Sequence, residues 1–330
     1  MPVPRRTVLS SALAGLAVAA LPTPAAAMPL AGGSSGGSPV EVFAQLRRTL
    51  IQADNLMGPR HVLPAVQQRL VALAAHRKAA RGSDAERLLE LETRYEELAG
   101  WLAQDAGDER TAYGHTARAL DASHMTGDRD LTAYILGRKA QLAADTGHAH
   151  DALGLATAAR RTARPGSKLE VIAAMHQAHG HSVLGDEPAA LSGYEDALGM
   201  LERADDDGVW GSWLDAAYVR TARARSMAAL GHYEQAADGF RTAIAALPSA
   251  YRRDRGVYLA REARALAGAD DRQRAARVGL EAVQIAAETS SARIIGQLSK
   301  LDAALAATPR EADVPEFRAA LDQIVLHPQA

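Results

Sequence analysis

His176, His179 and His181 are the densest group of metal-capable side chains in the sequence, and the first two are spaced to share one face of a helix. Imidazoles at that spacing suit zinc, but a site needs a third protein ligand, and the glutamate-bearing helix motif of zinc proteases is missing. The cluster therefore reads as a polar helix face without a metal. Gly32-Gly33-Ser34-Ser35-Gly36 spells the nucleophile turn of hydrolases, yet that turn works only between a strand and a helix, which this glycine- and serine-rich stretch does not provide. Asp205-Asp206-Asp207-Gly208 lacks the alternating ligand spacing of a calcium loop and better fits the start of a helix, where carboxylates meet the positive dipole end. Trp210 and Trp213, three apart, are expected on one helix face as a packing pair or a partner contact. There is no phosphate-binding glycine loop, dinucleotide fingerprint or paired carboxylate motif, and there is no cysteine to act as nucleophile or ligand. The sequence predicts no catalytic residue, no metal and no cofactor, and reads as a binding protein rather than an enzyme.

The elements that would position such residues are helices. A hydrophobic share of 48% with 23% charged residues gives the chain enough apolar surface to offset its ordering entropy, so it is expected to fold. Aromatics supply only 4%, and alanine carries much of the apolar content, which suits helices packed closely through small side chains. A net charge of -2 lacks the basic balance of a nucleic-acid-binding domain, so no direct nucleic-acid contact is expected of this chain alone.

Arg5-Arg6-Thr7-Val8-Leu9 leads into an apolar stretch from Ala12 to Leu21, followed by the small residues Ala25-Ala26-Ala27 before Met28. Residues 1–27 thus resemble a twin-arginine export signal, and the apolar run is too short to span a hydrocarbon core of roughly 30 Å, so no integral membrane insertion is expected. Residues 28–39 have the glycine and serine composition of a linker. The folded part is expected to be one repeat domain over 40–330.

Its repeat is written in small residues. Gly107, Gly147, Gly185 and Gly231 are each followed five positions later by an alanine (Ala112, Ala152, Ala190, Ala236) and seven beyond that by another (Ala119, Ala159, Ala197, Ala243). A fifth unit fits Ala275 and Ala282, with its turn at Gly268 displaced, and a further small residue precedes each first alanine by twelve positions: Gly100, Ala140, Ala178, Ala224 and Ala263. Small residues at these points let two helices cross closely. The unit Leu230-Gly231-His232-Tyr233-Glu234-Gln235-Ala236, with Phe240, Ala243 and Pro248, resembles the second half of a tetratricopeptide repeat. Spacings of 40, 38, 46 and 39 residues between successive first alanines exceed the ~34 of the standard repeat, so helices or loops are extended. The expected fold is all-α, a right-handed superhelical solenoid of antiparallel helix pairs. Val40 to Asn55 with Pro64 to Ala80 should open it, and Ala292 to Ala307 with Pro315 to Val325 should close it.

The twin-arginine segment, the linker, Asp54-Asn55-Leu56-Met57-Gly58-Pro59 and the degenerate repeats together resemble the tetratricopeptide sensor region of bacterial helix-turn-helix transcriptional regulators. Residues 1–39 are too few for the DNA-binding domain that precedes this region in that group, so the chain is expected to lack it. The resemblance implies a concave groove lined by the first helix of each pair, where the residue after each small crossing residue points inward: Trp101, Gln141, His179, Arg225 and Arg264. Met175, Tyr134 and Tyr218 share those faces, as do Glu97 and Gln104. Such a groove suits an extended peptide or protein segment, with arginines for carboxylates and rings for apolar side chains. The lysine and asparagine clamp of chaperone-binding repeats is not expected, because the one asparagine, Asn55, precedes the repeats. A peptide-binding sensor, open to self-association, is the leading expectation. An exported scaffold with a cleaved signal is the alternative.

The cytoplasm is the expected compartment, because the regulator resemblance accounts for nearly the whole chain and the signal reading only for residues 1–27. Residues 1–40 fused to a reporter active only after twin-arginine transport should give no signal. Export that disappears when Arg5 and Arg6 become lysine would reverse this assignment.

Overall fold

The computed structural model describes residues 38–205, 210–211, 213–249, 251–306 and 313–326. The twin-arginine segment, Ser34 and residues 28–37 of the expected linker lie outside the described residues, as does most of the Asp205–Gly208 run, whereas Ser38 caps α1 and Pro39 opens it. Among the described residues there are fourteen α-helices. They are α1 (Pro39–Met57) and α2 (Pro59–Ala79), α3 (Gly82–Asp105) and α4 (Glu109–Thr126), α5 (Arg129–Asp145) and α6 (Ala149–Thr162), α7 (Lys168–Val183) and α8 (Glu187–Leu201), α9 (Ala216–Ala229) and α10 (Tyr233–Ala246), α11 (Arg252–Gly268) and α12 (Arg272–Thr289), and α13 (Ala292–Leu305) with α14 (Asp313–Leu326). Each helix packs antiparallel on the next, forming a solenoid of the tetratricopeptide type. No helix among the described residues is long and apolar enough to cross a membrane.

Local chemistry sets the helix ends. Asp108, Asp128, Ser167, Asp186, Asp215 and Asp271 each cap a helix by accepting hydrogen bonds from backbone N–H groups of its first turn. Five interhelical turns share one closing bond: the amide of Asp108, His148, Asp186, His232 or Asp271 donates to the carbonyl five residues earlier at 2.8–2.9 Å. This is the Schellman geometry, which requires a left-handed residue just before the donor. Four turns use Gly107, Gly147, Gly185 and Gly231 there, at φ between 79° and 86°. In the fifth unit Asp270 takes that place at φ 66°, five positions before Ala275 as the glycines precede their alanines. Gly268 is instead the last residue of α11, because an aspartate tolerates the left-handed region well enough to make the turn.

The small residues carry the crossings. Ala112, Ala119, Ala159, Ala190, Ala197, Ala236, Ala275 and Ala282 have no exposed surface, and of the expected pairs only Ala243 is half-buried. A Cβ added to Gly193 would lie 2.8 Å from the Ala178 Cβ, and one added to Gly239 would lie 2.6 Å from the Ala224 Cβ. The few large rings fill what the alanines leave: Tyr95, Tyr194, Phe43, Phe240 and Phe317 are fully buried, and the Tyr95 hydroxyl donates to the Phe43 carbonyl at 2.8 Å.

Two expectations change. α2 begins at Pro59, whose missing N–H costs nothing at the first helical position, so Pro64 sits inside the helix rather than opening it. Trp210 and Trp213 are not on a helix, because Gly211 turns the chain at φ 70° and α9 starts only after its cap Asp215. Each tryptophan serves a separate contact: Trp210 lies 4.8 Å from the Tyr134 ring and under the Arg94 guanidinium at 4.7 Å, and Trp213 lies 4.6 Å from Tyr218.

The superhelix also meets itself. A Cβ on Gly58, at the α1–α2 turn, would strike the Thr289 carbonyl at 2.8 Å, and one on Gly107, after α3, would lie 3.1 Å from the Ala292 Cβ. The α12–α13 junction is thereby seated on the first two pairs. Gly239→Leu should force α9 and α10 apart and cost on the order of 1 to 3 kcal/mol; an unchanged urea midpoint would show that this crossing has slack.

Candidate functional site

Closure gathers the inward faces of several helices around one charged cluster. Arg253 on α11 reaches across to Asp54 on α1 at 2.7 and 2.9 Å and to Asp105 on α3 at 2.8 Å. Asp105 is almost wholly buried; it also accepts from Ser291 Oγ at 3.3 Å and pairs with Arg293 on α13 at 3.4 Å. The two carboxylates and burial act on Arg253 in opposite directions, and the carboxylates prevail, raising its already high pKa further. These contacts join residues up to 199 positions apart.

The cluster continues along α3 and α5. Glu97 accepts from Arg138 Nε at 3.1 Å and from the Tyr134 hydroxyl at 3.2 Å, and pairs with Arg47 at 3.7 Å. Trp101 is held between two guanidiniums, Arg138 at 4.5 Å and Arg293 at 4.8 Å from its ring centre, a geometry in which each cation meets the negative face of the indole. Asp145, at the end of α5, accepts from Arg225 at 2.6 Å and from Gln104 at 2.8 Å. Burial alone would raise the Asp145 pKa, but Arg225, Arg261, Arg293 and Arg138 outweigh it and hold the carboxyl below its usual range.

Trp101, Tyr134, Gln141 and Arg225 all enter this cluster, Gln141 by accepting from Arg138. Arg264 has a separate partner, donating to Gln297 on α13 at 2.5 Å. Tyr218 packs on Trp213 near the start of α9. Met175 and His179 have turned away from any groove surface: Met175 is 2% exposed among the apolar side chains of α7 and its neighbours, and His179 is 6% exposed. α7 packs against α5, α6, α8 and α9, which leaves these two positions no open face. His179 Nδ1 lies 2.8 Å from Ser226 Oγ, and among the described residues its Nε2 is the one fully buried side-chain nitrogen or oxygen without a hydrogen bond. Burial, with Arg225, His176 and Arg261, keeps this ring neutral, and burial with Arg138 and Arg225 pushes His176 down to about 3. His181 faces elsewhere, on Asp186 at 3.1 Å. No group of three or more His, Asp or Glu among the described residues is placed to hold a metal ion.

Arg138, Asp145, Arg253, Arg261 and Arg293 were not singled out in the sequence. Arg138 and Arg261 each stand three residues before a groove position, Gln141 and Arg264, and so share its helix face. For Arg253, Arg293 and Asp105 no local signal exists, since superhelix closure brings them together.

No protein-family model matches the chain, and no curated protein matches it. Among solved structures it is similar to a Rap protein complexed with Competence and Sporulation Factor, at 13% identity and a TM-score of 0.58, over 89% of each chain. Weaker likenesses are BtubC from P. vanneervenii, at 19% identity and a TM-score of 0.43 over 76% of this chain and 92% of that one, and a signal-transduction ATPase with a tetratricopeptide repeat sensor from Pyrococcus horikoshii, at 14% identity and 0.42 over 88% and 50%. At such identities the likeness shows the fold: an all-helical solenoid of the tetratricopeptide type.

The neutral histidines make stability depend on pH. An unfolded chain binds protons at these sites near the ordinary histidine pKa of about 6.5, whereas the folded chain refuses them, so stability should fall as pH drops below that value. Each histidine can contribute a slope of up to about 1.4 kcal/mol per pH unit. Urea midpoints should decline from pH 7 to pH 5, less steeply in His176→Gln; a flat or rising wild-type profile would contradict the burial of these rings.

Proposed function

We propose that this chain is a non-enzymatic interaction module that holds an extended peptide or protein segment on the inner surface of its superhelix, around Trp101, Arg138, Arg225 and Arg261. The observation that carries the reading is the convergence of side chains from six helices, α1, α3, α5, α9, α11 and α13, on one inward cluster of guanidiniums, carboxylates and an indole. A segment laid there meets planar donors for its carbonyls and carboxylates and an aromatic face for an apolar side chain. The similar Rap structure, a complex with Competence and Sporulation Factor, supports a solenoid of this kind acting as a receptor. We assign the chain a sensing role related to that of repeat-containing transcriptional regulators, in the cytoplasm.

A ligand bound there loosens the ends if it competes for Arg253 or Arg293, because those side chains join α11 and α13 to α1 and α3. Binding and shape are therefore coupled in this reading, as a sensor requires.

Selection from a random-peptide display library on the full chain tests the assignment. Enriched peptides should lose about tenfold or more in affinity against Trp101→Ala and Arg225→Ala, and keep it against Arg160→Ala and Arg241→Ala on the second helices α6 and α10. Each variant is first checked for a wild-type circular dichroism spectrum. No enrichment, or equal losses in both sets, would place the function elsewhere.

A further inference from the structure

The seam where the superhelix returns on itself differs in kind from the helix pairs that it joins. On each side of it the packing is apolar: one buried cluster runs from Val40 on α1 to Leu102 on α3, and another from Ala224 on α9 to Leu321 on α14. Among the described residues no buried apolar cluster has members on both sides. What crosses the seam is polar. The Arg253 fork on α11 donates to both oxygens of Asp54, at 2.7 and 2.9 Å, and to one of Asp105 at 2.8 Å. Ser291 Oγ donates to Asp105 at 3.3 Å, and Arg293 on α13 pairs with Asp105 at 3.4 Å and lies over the Trp101 ring at 4.8 Å. The close backbone approaches are at helix ends, with Gly58 against the Thr289 carbonyl and Gly107 against Ala292.

The two kinds of contact respond differently to separation. Parting an apolar core exposes its surface to water with no compensating gain. Parting buried ion pairs returns each charge to water, and the hydration recovered offsets much of the attraction lost. A polar seam between two apolar cores is therefore where the ring separates most readily, and polar interfaces of this kind permit the units they join to move. We propose that the contact of α1 and α3 with α11 and α13 is a gate: the first and last helix pairs part there while each stays folded, Asp54, Asp105, Arg253 and Arg293 set the balance between closed and open forms, and the open form admits the bound segment. The admission step rests on the inner-surface reading above, whereas the gate stands on the seam contacts alone. Trp101 connects the two, because Arg293 covers one side of its indole in the closed form and leaves it when the seam opens.

The chain has no cysteine, so pairs of spin labels can be introduced cleanly. Gln52→Cys on α1 with Lys300→Cys on α13 spans the seam, and Gln52→Cys with Lys78→Cys on α2 lies within one side; all three residues are exposed. Pulsed dipolar measurements on the full chain should show a longer cross-seam population in Arg253→Gln than in wild type, with the within-side distance and the helical circular dichroism unchanged. An unchanged cross-seam distance overturns the gate. Should Arg253→Gln lose helicity, Asp105→Asn, which releases α3 from both α11 and α13, takes its place, and loss of helicity in both overturns the gate as well, because closure is then inseparable from folding. Admission is read with display-selected peptides, which should associate at least about threefold faster with the opened variant than with wild type, as expected when binding must await a conformational change. Opening without faster association defeats the admission step. A selection with no peptide dependent on Trp101 and Arg225 defeats the inner-surface reading, while the cross-seam distances still decide the gate.

Discussion

Where Gly239 of α10 crosses Ala224 of α9, a single added Cβ would come within 2.6 Å of its neighbour, and the same is true within 2.8 Å where Gly193 meets Ala178. Helix axes separated by so little leave no room for large side chains at the crossing, so the remaining volume is filled by the alanine rows on either side and by a few rings. This explains how a chain with 4% aromatics excludes water from its interior. It also explains the regular turns. Antiparallel helices held this close must reverse within a few residues, and the left-handed residue with its closing hydrogen bond does so five times, with Asp270 replacing glycine once.

Close pairs stacked in series curve, and here the curve returns on itself. The contact of Thr289 with Gly58 and of Ala292 with Gly107 brings together ends that have no sequence proximity, and places Arg253 between Asp54 and Asp105. Buried ion pairs of this kind add little net stability over apolar packing, since desolvation opposes the attraction. Their value is in specifying register: a guanidinium that reaches two carboxylates on two helices fits only one seating of α11 on α1 and α3. The Arg225–Asp145 pair is more open, with about a fifth and a quarter of the side chains exposed, so solvent screens its charges more than those of Arg253 and Asp105.

The enclosed cluster changes what the inner surface offers. In an open superhelix, one inward residue per repeat would present a row of independent contacts. Here Arg138 bridges Glu97, Gln141 and the Trp101 face at once, and Arg293 links that same indole to Asp105. In the proposed binding role, engagement of one member would alter the partners of the others and so couple occupancy to shape.

The repeat was legible because its cause is local. A glycine five residues before an alanine, or a small residue twelve before it, encodes one turn and one crossing, and every unit repeats the same short-range geometry. The helix-face register put Trp101, Tyr134, Gln141 and Arg225 on like faces of their helices, and in the structure these four side chains join one charged cluster. The pattern could not distinguish an inward side chain at the lumen from one enclosed by the next helix, and so Met175 and His179 look like Trp101 in sequence although α9 and its neighbours bury them. Nor could it show that Trp210 and Trp213 precede their helix, because Gly211 and the Asp215 cap act against a three-residue spacing that reads as helical. The partners of Arg253 and Arg293 belong to tertiary structure alone: they depend on the summed curvature of the helix pairs, and no interval in the sequence records where such a curve closes.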